Sequence, residues 1–304
     1  MRLEGASESI RGVFPAEYAD VAVVVTELGS PTVMMFLLAT LYWLVDRERT
    51  VLVIGYAVAG LSLLLAIKAV LGLPRPPEAL FLIELDADEY GFPSGHAFAA
   101  TVVYGGLLLA FDRTRSIPAL AGVSALVTLV ALSRVVLGVH YLGDVVAGTA
   151  LGIVTLLAFD HFARSDPRRP FAVALVIAVP ALVVTDFSSD VLLGFGGALG
   201  GLVAAGRVDT LPSIRGRLEA GVLFVVGCGY VVALEVVISL VPWGSVGVTS
   251  VAVTATTFVF VVLYAIQVAG ILLVPEAVGR LGGPLGSADS AGQAARSERT
   301  VGDD

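Results

Sequence analysis

Apolar runs of about twenty residues, the length that crosses a bilayer as a helix, recur along most of this chain with short polar breaks between them. They predict nine helical spans, at roughly 20–45, 50–72, 95–111, 117–136, 139–160, 170–185, 188–206, 218–242 and 250–274. The first contains Gly29-Ser30-Pro31, a sequence that kinks a helix. The sixth is short and carries Pro180. Between the second and third, Leu73 to Pro93 is polar and Pro-rich, which predicts a loop with room for one short helix. Residues 275–304 are Gly, Ala, Ser and charge, and read as a disordered tail. The pattern is that of an all-α fold, a polytopic membrane helical bundle.

The polar breaks also orient the bundle. Arg47 and Arg49 follow the first span, Arg113 and Arg115 the third, Arg164, Arg168 and Arg169 the fifth, and Arg207, Arg215 and Arg217 the seventh. The intervening loops carry Glu78, Glu84, Asp86, Asp88 and Glu89, and later Asp186 and Asp190. Arginine-rich loops stay cytoplasmic. The N-terminus is therefore expected outside and the tail inside. The first twenty residues hold four acids and no apolar core, so the first span is expected to act as its own insertion signal.

Composition agrees. The 304 residues are 57% hydrophobic and 14% charged, with mean hydropathy +0.93, where a soluble domain carries about 25% charge. A net charge of -8 argues against a nucleic-acid partner. There is one lysine, so 17 of the 18 basic residues are Arg, and the acids lie mostly in loops and tail. That balance resembles the proteins of salt-loving archaea. Cys228 can form no internal disulfide and no metal site alone. The stretch Gly194 to Gly201 spaces small residues four apart, which suits close helix packing in lipid rather than nucleotide binding. Glu84 to Glu89 lacks the spacing of a calcium loop and reads as a solvated acidic loop. Glu27 and Glu235 are intramembrane acids; Glu27 is a candidate to face the site, and Glu235 to pair with a polar group between helices.

The chemistry concentrates at span ends on one side. Lys68 ends the second span and Arg75-Pro76 follows it; Pro93-Ser94-Gly95-His96 opens the third; Ser133-Arg134 closes the fourth; His140 and Asp144 open the fifth. Lys68, Arg75 and Arg134 are cations that would favour an anion between them, and the Arg fork suits phosphate oxygens. Ser94 and Gly95 start a helix, where free amides and the dipole favour negative charge. His140 and Asp144 are i, i+4 and share a helix face. The carboxylate can hold one ring nitrogen and leave the other free to attack. His96 is placed to give a proton to a leaving oxygen. Each residue has a plainer reading. Lys68 could snorkel, Ser94 could simply cap, Arg75 and Arg134 could anchor headgroups, and His140 and Asp144 could be a structural pair. Those readings do not explain the three spacings together.

The three clusters resemble the motifs of the type 2 phosphatidic acid phosphatase superfamily, Lys-x6-Arg-Pro, Pro-Ser-Gly-His and Ser-Arg-x5-His-x3-Asp, over roughly residues 60–150. The resemblance implies His140 as nucleophile, Asp144 as its orienter and His96 as general acid. Lys68, Arg75, Ser94, Gly95 and Arg134 would hold the phosphate, with no metal and no cofactor. It implies a catalytic membrane core over 1–160 and says nothing of the bundle at 161–274 or the tail at 275–304. The expected activity is hydrolysis of a lipid phosphate or polyprenyl diphosphate at the extracytoplasmic face, through a phosphohistidine. A lipid phosphotransferase and a non-catalytic lipid-binding or transport protein are the alternatives.

Overall fold

The computed structural model describes residues 2–14, 16–84, 90–185, 187–214, 216–241 and 250–300. Among them are eleven α-helices and no strand. In chain order they are α1 (Glu4–Val13), α2 (Ala19–Glu27), α3 (Pro31–Leu44), α4 (Arg47–Leu71), α5 (Gly95–Ala110), α6 (Ile117–Val136), α7 (Leu142–Ala163), α8 (Arg169–Val184), α9 (Ser189–Ala205), α10 (Arg217–Ser239) and α11 (Ser250–Thr300). Five of these are long and apolar enough to cross a membrane, and α2 with α3 forms a sixth, bent by 45°. The shorter apolar helices α5, α8 and α9 coincide with the third, sixth and seventh expected spans. The protein is an all-α integral membrane bundle. Broad apolar faces remain open to lipid, among them Ile117, Val146, Val154, Val176 and Val183.

Local signals set the boundaries. The first span breaks at Gly29-Ser30-Pro31. There the Ser30 hydroxyl caps α3 by accepting from Val33 N at 3.3 Å, with Pro31 in the first turn. Tyr104 donates to the Leu28 carbonyl at 2.6 Å and fixes the bend against α5. Asp46 caps α4 through Arg49 N, and Gly72 ends it in the left-handed conformation at φ 58°. Helix α1 was missed, since its ten residues are amphipathic but far too short to span. A disordered tail is expected from residue 275. Helix α11 runs through it to Thr300, with Val274 and Val278 buried and Glu276 paired to Arg280. The apolar face of the ninth span simply continues past Pro275. Residues 301–304 lie outside the described residues, as do Asp86, Asp88 and Glu89 of the acidic loop, Asp186 and Arg215.

One buried cluster links the two halves of the chain. It joins Leu38, Trp43 and Ala59 of α3 and α4 to Phe98 of α5, Phe171 of α8, Ala198 of α9 and Leu272 of α11. The tight spacing of α9 rests on its glycines. A side chain at Gly200 would meet the Ala265 carbonyl of α11, and one at Gly201 the Phe171 ring. Tyr42 and Trp43 donate to the carbonyls of Leu272 and Ile271 at 3.0 and 2.8 Å, tying α3 to α11. Glu235 accepts from Gln267 at 2.6 Å, the interhelical pairing expected of it.

Two of the loop arginines meet at one end. Arg49 and Arg164 both pair with Asp112, at 3.1 and 2.9 Å. Lys68 lies nineteen residues beyond Arg49 on the same helix, roughly 28 Å away. The basic end and the end bearing the three motifs are therefore opposite ends of the bundle.

Candidate active site

The connection from α6 to α7 sets the position of His140. Leu137 N bonds back to the Ser133 carbonyl at 2.9 Å, and Gly138 then turns the chain at φ 77°. A side chain at Gly138 would run into the Leu80 carbonyl, so only glycine lets the 73–84 loop lie on this turn. Leu82 N bonds to the Leu137 carbonyl at 3.1 Å and His140 N to the Arg134 carbonyl at 3.3 Å. Two of the three motifs are stitched by backbone. Ser94 N donates to the Asp144 carbonyl at 3.0 Å, and Gly148 leaves room for the Ser94 backbone one turn along α7. The first motif joins through the loop: Lys68 Nζ donates to the Tyr90 carbonyl at 3.0 Å, and Gly91 N to the Leu73 carbonyl at 2.8 Å.

The predicted residues come together. Lys68, Ser94, Arg134, His140 and Asp144 are all buried, and His96 and Arg75 are half-buried. The charges of Arg134, Arg75 and Lys68 all act on His96, as does His140. Arg75 Nη1 lies 3.2 Å from His140 Nε2 and 3.5 Å from the Val139 carbonyl. A guanidinium only donates, so Nε2 is the accepting nitrogen and the ring proton sits on Nδ1. That proton faces Asp144 Oδ2 across 3.5 Å, a long contact that leaves Nδ1 without a hydrogen bond. Among the described residues, Ser94 Oγ and Arg134 Nε are likewise buried without a hydrogen-bond partner. Unpaired buried polar groups cost about 1–3 kcal/mol each. A buried hydroxyl and a guanidinium N–H left in that state suit an anion.

Sequence reasoning missed two contributors. Arg2 reaches Asp144 with both arms of its fork, Nε to Oδ1 at 2.7 Å and Nη2 to Oδ2 at 2.6 Å. It also stacks on Tyr141, and its carbonyl accepts from Gly143 N. Helix α1 is held there by Ser7 Oγ, which accepts from Leu142 N at 2.8 Å. Thr26 at the end of α2 accepts from Arg134 Nη1 at 3.0 Å. Glu27, expected as a candidate to face the site, is exposed and acts on Arg134 by its charge. The amphipathic pattern of residues 4–13, with Arg2 before it, was the available signal for the first contributor. Nothing local marked Thr26. Among the described residues, no group of three or more His, Cys, Asp and Glu could hold a metal ion.

Comparison with known proteins locates this assembly. Residues 49–166 match the PAP2 superfamily. The matched segment is less than half of the chain. It carries all eight predicted site residues, while Arg2, Thr26 and the helices from α8 onward lie outside it. The chain is 29% identical to mouse sphingosine-1-phosphate phosphatase 2 over 169 residues, 53% of this chain and 48% of that protein. It is 39% identical to the human protein of that name over 129 residues, 40% of this chain and 32% of that protein. It is 34% identical to decaprenylphosphoryl-5-phosphoribose phosphatase of Mycobacterium tuberculosis over 108 residues, 35% of this chain and 57% of that protein. The chain thus spans about half or less of the sphingosine-1-phosphate phosphatases. No solved structure matches it significantly.

Burial pushes the His140 imidazole down from 6.5 to about 4; Arg134 and Arg75 act in the same direction, and Asp144 opposes them. The ring is therefore neutral at neutral pH. Because its folded value lies below its unfolded one, the unfolded chain takes up the proton first. Its contribution to stability is full above about pH 6.5, falls as pH drops toward 4, and levels off below that. The expected loss is up to about 3 kcal/mol. Thermal unfolding in detergent across this window should show a steeper acid limb in the wild type than in His140→Asn. Parallel limbs would contradict a buried neutral His140.

Proposed function

We propose that this chain is a metal-independent phosphatase of membrane lipids, hydrolysing a lipid phosphate or polyprenyl diphosphate through a phosphohistidine at His140. The observation that carries the reading is the state of His140. Nε2 accepts from Arg75, its one hydrogen-bond partner among the described residues, and Nδ1 points toward Asp144. In this reading Arg75 stands where a phosphoryl group would stand, and shifts onto its oxygens when substrate enters. The Arg134 Nε, the Ser94 hydroxyl, the Lys68 ammonium and the first-turn amides of α5 at Gly95 hold the other oxygens. These groups supply the positive charge that a metal ion would otherwise bring to the developing anion.

The bond changes follow. The Nε2 lone pair attacks phosphorus as the bond to the leaving oxygen breaks, and His96 gives its proton to that oxygen. The Nδ1 proton stays between His140 and Asp144, which stabilises the charge on the phosphorylated ring. A water then attacks phosphorus and gives its proton to His96, and the bond from phosphorus to Nε2 breaks. Orthophosphate leaves and the starting state returns. The named relatives, a sphingosine-1-phosphate phosphatase and a decaprenylphosphoryl-5-phosphoribose phosphatase, support a substrate with an apolar tail. So does a site at one end of an apolar bundle. By the arginine rule the site faces outward, and the substrate is presented on the outer leaflet.

His96→Ala should slow release of an alkoxide leaving group by about 10²–10⁴-fold. It should spare a nitrophenolate, which leaves without a proton. Equal losses for both leaving groups would remove His96 from the acid role. For sidedness, a cysteine replacing Glu78 in a Cys228→Ala background should react with an impermeant thiol reagent in intact cells. One replacing Ser165 should not. The reverse labelling would move the substrate pool to the cytoplasmic leaflet.

A further inference from the structure

Directly beneath the site is a cavity of about 320 Å³, in the size range of small-molecule sites. One wall comes from α3, α4 and α5, and the opposite wall from α9, α10 and α11 through Leu193, Glu235, Gln267 and Val268. Apart from Thr32, Glu235 and Gln267, the lining side chains are apolar.

Helical register connects this space to the chemistry. On α4 the lining residues Leu64, Leu61 and Ala57 lie four, seven and eleven positions before Lys68, on one face with it. On α5, Ala99 and Val103 lie three and seven positions after His96. Pro31 lines the cavity where α3 begins, two residues from Gly29, where a side chain would run into Val130 and crowd His96. Three helices therefore carry the cavity wall up to the floor of the site. Along α4 the lining extends from Leu64 to Ile54, roughly 15 Å of helix. The far wall is fixed by the bond from Gln267 to Glu235 at 2.6 Å and a contact of Gln267 with Met35 Sδ at 3.5 Å.

We propose that this cavity takes the hydrocarbon chain of the substrate whose phosphate occupies the site, and that α9, α10 and α11 close its far side. The inference rests on the phosphatase reading for the phosphate end. A chain lying here is shielded from competing bilayer lipid on two sides, and its phosphorus comes up between Lys68 and His96. The C-terminal helices then set chain preference while contributing nothing to bond cleavage.

The test uses the full chain in lipid nanodiscs, with long-chain and short-chain alkyl phosphates. The wild type should favour the long chain in kcat/KM. Val268→Trp and Leu193→Trp fill the cavity from its far wall, and should lower the long-to-short ratio at least about tenfold. An unchanged ratio with measurable turnover overturns the chain site and leaves the phosphatase reading intact. Release of phosphate from neither substrate by the wild type counts against the phosphatase reading instead. A second measurement needs no variant and no turnover. A long-chain alkyl phosphate with a diazirine at its tail end should label peptides of α9 to α11, and a long-chain phosphate should displace it. Labelling confined to the lipid-facing sides of α6 and α7 would overturn the proposal. So would equal displacement by a neutral long-chain lipid, which would make the cavity a site for bilayer lipid.

Discussion

Cations and a neutral imidazole held side by side at the end of an apolar bundle are costly. Each ion loses water on burial, and like charges repel more strongly as the local dielectric falls. Lys68, Arg75 and Arg134 cannot sit together unless the backbone holds them there and acids offset part of their charge. The backbone work is done by short contacts that tolerate only small residues. Gly138 passes under the 73–84 loop, Gly148 abuts Ser94, and Gly29 abuts His96. The bond from Ser94 N to the Asp144 carbonyl fixes the second motif to the third. Among the described residues Glu27 offsets part of the Arg134 charge, and Asp144 is gripped by Arg2. Among the described residues the Ser94 hydroxyl and Arg134 Nε are left without a hydrogen-bond partner, which favours an anion beside them.

The reach of Arg2 into this arrangement changes how the third motif is understood. Asp144 serves three masters: it accepts from Tyr141 N at 2.9 Å, takes both arms of the Arg2 fork, and faces His140 Nδ1 at 3.5 Å. Its hold on the imidazole is therefore shared with a cation from outside the PAP2 segment. The N-terminal helix is part of the site's architecture and more than a leader to the first span.

Most of this was legible in the sequence because membrane helices and phosphate sites both leave strong local marks. The expected spans match the observed helices, since unbroken apolar runs with caps such as Asp46 and Gly72 admit few alternatives. The kink at Gly29-Ser30-Pro31 followed from proline and glycine alone. All eight predicted site residues converge, because their spacings place them at neighbouring helix ends. The misses have a common physical cause. Arg2 meets Asp144 across 142 residues, and Thr26 meets Arg134 across 108. No periodicity in the chain encodes such long-range contacts. The continuation of α11 past Pro275 was missed for another reason. Proline there outweighs, on paper, the apolar positions Val274 and Val278, which stay buried.

The central claim is that His140 Nε2 carries the phosphoryl group. Rapid acid-free quenching of the purified chain with a phosphorus-labelled lipid phosphate, in chelator, measures this directly. The account predicts a base-stable, acid-labile label, near one per active chain, on the peptide containing His140, and absent in His140→Ala. Label on any other residue, or turnover in the wild type with no covalent label at any quench time, would contradict it.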